Sequence, residues 1–224
     1  MTSANQTDIP GTHAHYTTTG LDNRKVAIWA FIGSECMLFA SLISTYLIYK
    51  GRSLVGPFPH EIWKDPSSGQ TFKAILNIPV TSFSTFLLLM SSLFMVLAHN
   101  AVINRRTPKK TLGQRIEGNS KLWLWGVIIF GLGFLMCQAY EFTSFVHEGL
   151  TMRTNLFGSS FFTLTGFHGA HVTAGVLWLC TLLAIDYKRG LQPEDGLIVD
   201  LCALYWHFVD VVWIAIFTLV YLIK

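Results

Sequence analysis

The 224-residue sequence predicts an all-α, polytopic membrane protein built as one bundle of five transmembrane helices, and three observations predict it. Hydrophobic residues make up 51% of the chain, charged residues only 13%, and the mean hydropathy is +0.45, which leaves too little polar surface for a water-soluble domain of this length. Five apolar runs are each long enough, as helices rising 1.5 Å per residue, to cross a hydrocarbon layer. Lys and Arg lie between those runs rather than along a basic stripe with interleaved aromatics, so the net charge of +3 reports topology and nucleic-acid binding is excluded.

Residues 1–23 form a polar tail without the apolar core of a secretory signal, and the single bundle occupies 24–224. Its first span, 27–49, carries one ionisable group, Glu35. A charge near the bilayer centre costs at least about 2.5 kcal/mol, so this carboxyl must face protein, carry a proton or have a partner. A connector with helix-breaking GPFP and DPSSGQ segments follows. The second span is read as 75–98, with Asn77 and Pro79 in its first turn and His99 at the far interface. Six basic residues between Asn100 and Lys121 mark the next connector as the inner side.

Trp123 and Trp125 anchor the third span, 122–145, at that interface, and Gln138 and Glu141 lie toward its other end. The fourth span is 156–185 and the fifth 197–223. With the N-terminus inside and the C-terminus outside, ten Lys and Arg fall on the inner side and six on the outer, which selects that orientation. Four cysteines, at 36, 137, 180 and 202, sit in apolar runs without a C-x-x-C pair and read as small apolar residues.

The fourth span places His168 and His171 one turn apart on a shared face, beside a small-residue stripe, Gly166, Ala170 and Ala174, of the kind that lets membrane helices approach closely. In the fifth, His207 and Asp210 stand at i and i+3, close enough in principle to satisfy each other. The embedded polar inventory is therefore Glu35, Gln138, Glu141, His168, His171, His207 and Asp210, a polar seam inside the bundle. Haem would need His207 opposite His168 or His171; a metal site has no helix-borne E-x-x-H motif to support it; a transporter lacks the internal repeat and broken helices. A scaffold that handles protons or lipid remains.

Four blocks narrow this further: GSECMLFA (33–40), QAYEF (138–142), FGSSFFTLTGFHGAHVTAG (157–175) and YWHFVDVVW (205–213). In this order they resemble subunit III of the haem–copper terminal oxidases, of the cytochrome c and quinol oxidase type. The resemblance implies a non-redox subunit of a proton-pumping enzyme that reduces O2 to water. It implies no catalytic residue, metal or haem in this chain, with haem and copper held by subunits I and II. It also implies packing against subunit I, bound structural phospholipid, and support of proton uptake on the inner side. By matching position, Glu35 becomes the family's intramembrane carboxylate, Glu141 the acid of the second block, His168 and His171 its paired histidines, and His207 with Asp210 the polar pair of the last helix.

Longer relatives of that family have seven helices, and this chain begins with what matches the third. An extended subunit I, a small subunit, or an open cleft then takes the place of the first two. The five-helix form and the missing transit peptide point to a bacterial inner membrane. Lys188 and Arg189, at the inner end of the fourth span, are candidates for an anionic lipid headgroup, against the plainer role of solvated topology anchors. A stand-alone lipid- or proton-handling membrane protein, or an accessory subunit of a nitric-oxide-reductase-like complex, are the alternatives, and the electron donor is decided in another subunit. A further expectation is that a histidine of the fourth span, His168 or His171, shares a hydrogen bond with Glu35.

Overall fold

All five apolar runs are helices, and four of them extend past the hydrophobic stretch that announced them, because polar and charged residues finish the last turns at the two faces of the bundle. The computed structural model describes residues 22–53, 56, 61, 63–64, 71–72, 76–106 and 111–223, the four at 63–64 and 71–72 by backbone alone. The polar tail and most of the GPFP and DPSSGQ connector lie outside the described residues.

Helix α1, Asn23–Tyr49, starts where Asp22 caps it, the carboxylate accepting from the Arg24 amide at 2.9 Å. The Arg24 side chain and that amide hold the Asp22 carboxyl below the usual carboxylate range. In the connector, Trp63–Lys64 (β1) and Thr71–Phe72 (β2) make a two-residue antiparallel pairing. Helix α2, Ile78–Ile103, follows the cap Asn77 and tolerates Pro79 in its first turn, where that amide has no intrahelical acceptor. It ends five residues beyond the expected limit, so His99 lies one turn inside the helix rather than past its end.

A short helix unforeseen from hydropathy, α3, Leu112–Glu117, precedes α4, Ser120–His147. Thr111 and Gln114 form its capping box. Helix α5, Leu156–Lys188, is capped by Asn155, whose side chain accepts from the Gly158 amide at 2.6 Å. One 3₁₀ turn, Pro193–Asp195, leads into α6, Gly196–Ile216, and the chain continues through a wider π turn, Phe217–Leu222. There the Ile223 amide reaches back five residues to Thr218 O at 3.1 Å.

Helices α2, α4, α5 and α6 enclose the core: α2 packs chiefly on α4, α4 on α5, and α6 on both α2 and α5. Helix α1 lies against α5 and α6 along one edge, and only its Phe39 and Tyr46 are buried. The backbones come together around Trp206, whose indole fills the space left by Gly131 on α4 and Gly175 on α5. A Cβ on either glycine would stand 2.8–2.9 Å from that ring. The Gly166, Ala170, Ala174 stripe has no such role within the chain. Both alanines are exposed and a Cβ on Gly166 would meet nothing within 4 Å, so the expected small-residue contact is made instead by Gly131, Gly169 and Gly175.

Candidate functional site

The polar residues collect on two seams of the bundle, one between α1 and α5 and one between α2 and α6. On the first, His171 Nε2 lies 3.1 Å from Glu35 Oε2, and its Nδ1 lies 2.8 Å from the carbonyl of Phe167, one turn back on α5. Phe39 packs edge-on against the imidazole at 5.0 Å, and the Tyr205 hydroxyl donates to the His171 carbonyl. Both ionisable side chains are about one-sixth exposed.

This geometry fixes the proton count. A backbone carbonyl only accepts, so Nδ1 carries a hydrogen. Two states then satisfy the other contact: Nε2–H donating to a Glu35 carboxylate, or a Glu35 hydroxyl donating to a bare Nε2. Both are neutral as a pair, and they differ only in the position of one proton. Glu35 thus has the partner its depth in the bilayer demands, supplied by His171.

His168 does something else. It is fully enclosed, tilted against Trp213 at 4.8 Å and met edge-on by Phe134 at 5.6 Å, and its Nε2 sits 3.3 Å from Val209 O, the distance of a weak donation. Its Nδ1 has no hydrogen-bond partner among the described residues, and Glu35 is met by His171 instead. Gln138 donates to Thr165 O at 2.7 Å and needs Gly169 opposite, where a Cβ would come within 2.7 Å of its amide oxygen. These two tie α4, α5 and α6 together.

On the second seam α2 presents a ladder of hydroxyls. Thr81 donates to Glu141 Oε1, Thr85 accepts from Trp213 Nε1 at 2.9 Å, Ser91 from Trp206 Nε1 at 3.0 Å, and Ser92 Oγ lies 2.6 Å from His207 Nδ1. His207 and Asp210 therefore do not satisfy each other. The histidine turns to Ser92, and neither carboxyl oxygen of Asp210, though buried, has a hydrogen-bond partner among the described residues. Glu141 borders a pocket of about 350 Å³ between the start of α2 and the end of α4, which Asn77, Ser144 and Glu148 also line.

Sequence reading missed the hydroxyl ladder and a clamp at the end of the bundle where α2 and α5 finish. The ladder had a signal, six Ser and Thr from position 81 to position 92 of an apolar helix, clustered at 81–85 and at 91–92. The clamp centres on Asp186, which takes Arg105 Nη1 at 2.9 Å, Ser120 Oγ at 2.5 Å and the Leu191 amide at 2.8 Å. Of the two headgroup candidates, Arg189 gives both terminal nitrogens to Asp195 at 2.8–2.9 Å, whereas Lys188 is exposed.

A family model described as cytochrome c oxidase subunit III matches residues 3–224. The chain belongs to that family. It is 39% identical over 200 residues to the cytochrome c oxidase subunit 3 of Bacillus sp. (strain PS3), covering 89% of this chain and 86% of that one. It is 36% identical over 197 residues to the quinol oxidase subunit 3 of Bacillus subtilis, with coverages of 88% and 85%. Against the cytochrome bo(3) ubiquinol oxidase subunit 3 of Pseudomonas aeruginosa, identity is 33% over 214 residues, with coverages of 94% and 89%. This member of the subunit III family is thus a multi-pass integral membrane protein of the bacterial plasma membrane and a subunit of a terminal oxidase complex.

Proposed function

We propose that this chain is the non-redox subunit of a proton-pumping haem–copper oxidase, holding no haem or copper itself, packing against subunit I in a complex that also contains subunit II, and sustaining the supply of protons to the oxygen-reducing centre in that neighbour. The Glu35–His171 couple carries this reading. One proton shared between two helices, in a pair that is only partly shielded, can shift between carboxyl and imidazole without burying a net charge, and once passed on it leaves a single negative charge that the next proton cancels. A lone carboxylate could not be held there.

Lipid binding fits the same face. A groove of about 180 Å³ between α1 and α5, lined by Leu42, Thr45, Tyr49, Leu156, Ser160 and others, is sized for part of an acyl chain, and exposed Lys188 stands at the opposite, inner end for an anionic headgroup. The ten-to-six distribution of Lys and Arg supports a cytoplasmic N-terminus and an external C-terminus.

The test is oxygen-reduction turnover of the intact complex with and without this subunit, from mildly acidic to alkaline pH, followed through sustained turnover. Removal is expected to leave the haem spectrum intact, to slow the enzyme more as protons become scarcer, and to hasten its inactivation. An unchanged rate, pH profile and lifetime would refute the proton-supply role; lost haem absorbance would place a cofactor contact in this chain.

A further inference from the structure

Glu141 is an embedded acid with open space beside it. It is 4% exposed, and Thr81 holds its Oε1. Its Oε2 has no hydrogen bond among the described residues and is not walled in either, so it opens on the pocket of about 350 Å³ that Glu141 lines. Glu141 lies six residues, about 9 Å, below the last residue of α4, and exposed Glu148 caps that helix at the rim of the same pocket. Ser144 stands between the two carboxyls on one helix face. Its hydroxyl and the Asn77 side chain have no hydrogen-bond partner among the described residues.

The lining selects the ligand. It includes no Lys, Arg or His among the described residues, so the pocket favours a cation. It is also roughly ten times the volume of about 30 Å³ that one water takes, so a bare metal ion would fill little of it. An ammonium on a short carbon chain suits both the oxygens and the apolar walls, where Pro79 and the Tyr140 ring lie.

Thr81 sets how the acid responds. Its hydroxyl lies 3.0 Å from Asn77 O as well as against Glu141 Oε1, and it has one hydrogen to give. A protonated Glu141 satisfies both contacts, donating to Thr81 Oγ1 while Thr81 donates to Asn77 O. An ionised Glu141 takes the Thr81 hydrogen instead, and Asn77 O keeps the Thr81 amide at 3.2 Å. A carboxylate this enclosed needs a positive partner, so the first arrangement belongs to the empty pocket and the second to the filled one.

We propose that this pocket binds a primary ammonium group in exchange for the Glu141 proton. The Glu141 O–H bond breaks and its proton leaves to water at the pocket mouth. The Thr81 hydrogen turns from Asn77 O to Oε1, and the ammonium N–H groups donate to Oε2 and Ser144 Oγ, with Glu148 as a second anionic contact. One positive charge enters as one leaves, so the enclosed charge does not change. The titratable groups facing Glu141 are Cys137, Tyr140 and Glu148 on its own helix and Tyr221 of the π turn, while α2 brings hydroxyls and the Asn77 amide. None of these is cationic, and because a proton is released, binding tightens as pH rises until the amine itself loses its charge. The ammonium comes either from a soluble amine or from an aminophospholipid headgroup. This inference concerns the α2–α4 pocket and stands apart from the α1–α5 couple, so either can fail without the other.

The experiment places the assembled oxidase in nanodiscs of phosphatidylglycerol alone and follows protonated-carboxyl bands by infrared spectroscopy, with a pH dye reporting proton release. The Glu141 band is the one lost in Glu141→Gln and moved to higher frequency in Thr81→Val, which removes its hydrogen bond; either variant identifies it. Ethanolamine, or phosphatidylethanolamine mixed into the disc, is expected to bleach that band and release about one proton per complex, whereas NaCl at equal concentration leaves it. Glu148→Gln, at the exposed rim, should raise the amine concentration for half effect about threefold to tenfold. Bleaching by ethanolamine alone identifies a soluble amine, and by the lipid alone a headgroup. The proposal is overturned by the lack of a Glu141 band in the amine-free disc, by a band that neither amine bleaches or that NaCl bleaches equally, or by an unchanged half effect in Glu148→Gln.

Discussion

At the scale of single residues, what distinguishes this bundle is that its acids are kept in different ways. Glu35 is balanced by an imidazole, Glu141 by a hydroxyl beside a pocket, and Asp186 by a guanidinium, a hydroxyl and an amide, while Asp210 has no hydrogen-bond partner among the described residues. The first of these gives a discriminating pair of substitutions. Glu35→Ala leaves His171 Nε2 without its partner and should cost about 1–3 kcal/mol in thermal unfolding of the assembled complex. Glu35→Gln keeps a hydrogen bond to Nε2 and should cost less, but an amide cannot take up or release the shared proton. If proton supply is the couple's role, the Gln variant loses alkaline turnover as fully as the Ala variant. Native turnover in Glu35→Gln would reduce the couple to a structural clasp. His171 was reachable from the sequence because i, i+3 spacing put two histidines on one face. Choosing between them required knowing where α1 crosses α5.

At the scale of elements, the five helices could be read because uninterrupted apolar runs have few alternatives in a bilayer, where a spanning segment must satisfy its own backbone. Their ends could not, because the closing turns are made of polar residues such as Ser120, whose partner Asp186 lies on another helix, and the exposed Lys188. Nor could the packing faces. Gly166, Ala170 and Ala174 have the right spacing for a close crossing but point out of the bundle, while Gly131 and Gly175 sit on different helices and are linked only by the Trp206 ring between them. Gly175→Ala drives a methyl to 2.8 Å from that ring and is expected to destabilise the complex by about 1–3 kcal/mol. Trp206→Leu in the same chain should recover part of that loss, since it removes the atoms the methyl meets. Gly166→Ala, with open space around it, should leave the isolated chain's unfolding temperature unchanged. Thermal unfolding of the three variants checks the set, and a Gly175→Ala protein as stable as the parent would mean that α5 and α6 are not this close.

At the scale of the whole molecule, the ion pairs of Lys and Arg between elements gather, among the described residues, at one end. Lys25 meets Asp200, Arg105 meets Asp186, Arg106 meets Glu194 and Arg189 meets Asp195, all where α2 and α5 finish and α4 and α6 begin. Only one of these pairs has a fully enclosed acid. Asp186→Ala strands Arg105 beside Gly190, whose positive φ of +74° shapes the turn around that guanidinium, and is expected to cost about 3–5 kcal/mol. Glu194→Ala removes a well-exposed pair and should cost under about 1 kcal/mol by the same unfolding measurement. The clustering also bears on orientation. Four of the basic residues at this end are neutralised by acids, yet insertion counts Lys and Arg and largely ignores Asp and Glu, so their topological weight is undiminished. This end is therefore expected in the cytoplasm, with the turn between α4 and α5 outside. A cysteine placed at Arg153 in that turn should react with a membrane-impermeant thiol reagent added to intact spheroplasts, and one placed at Lys188 only after lysis. Labelling in the opposite order would invert the bundle.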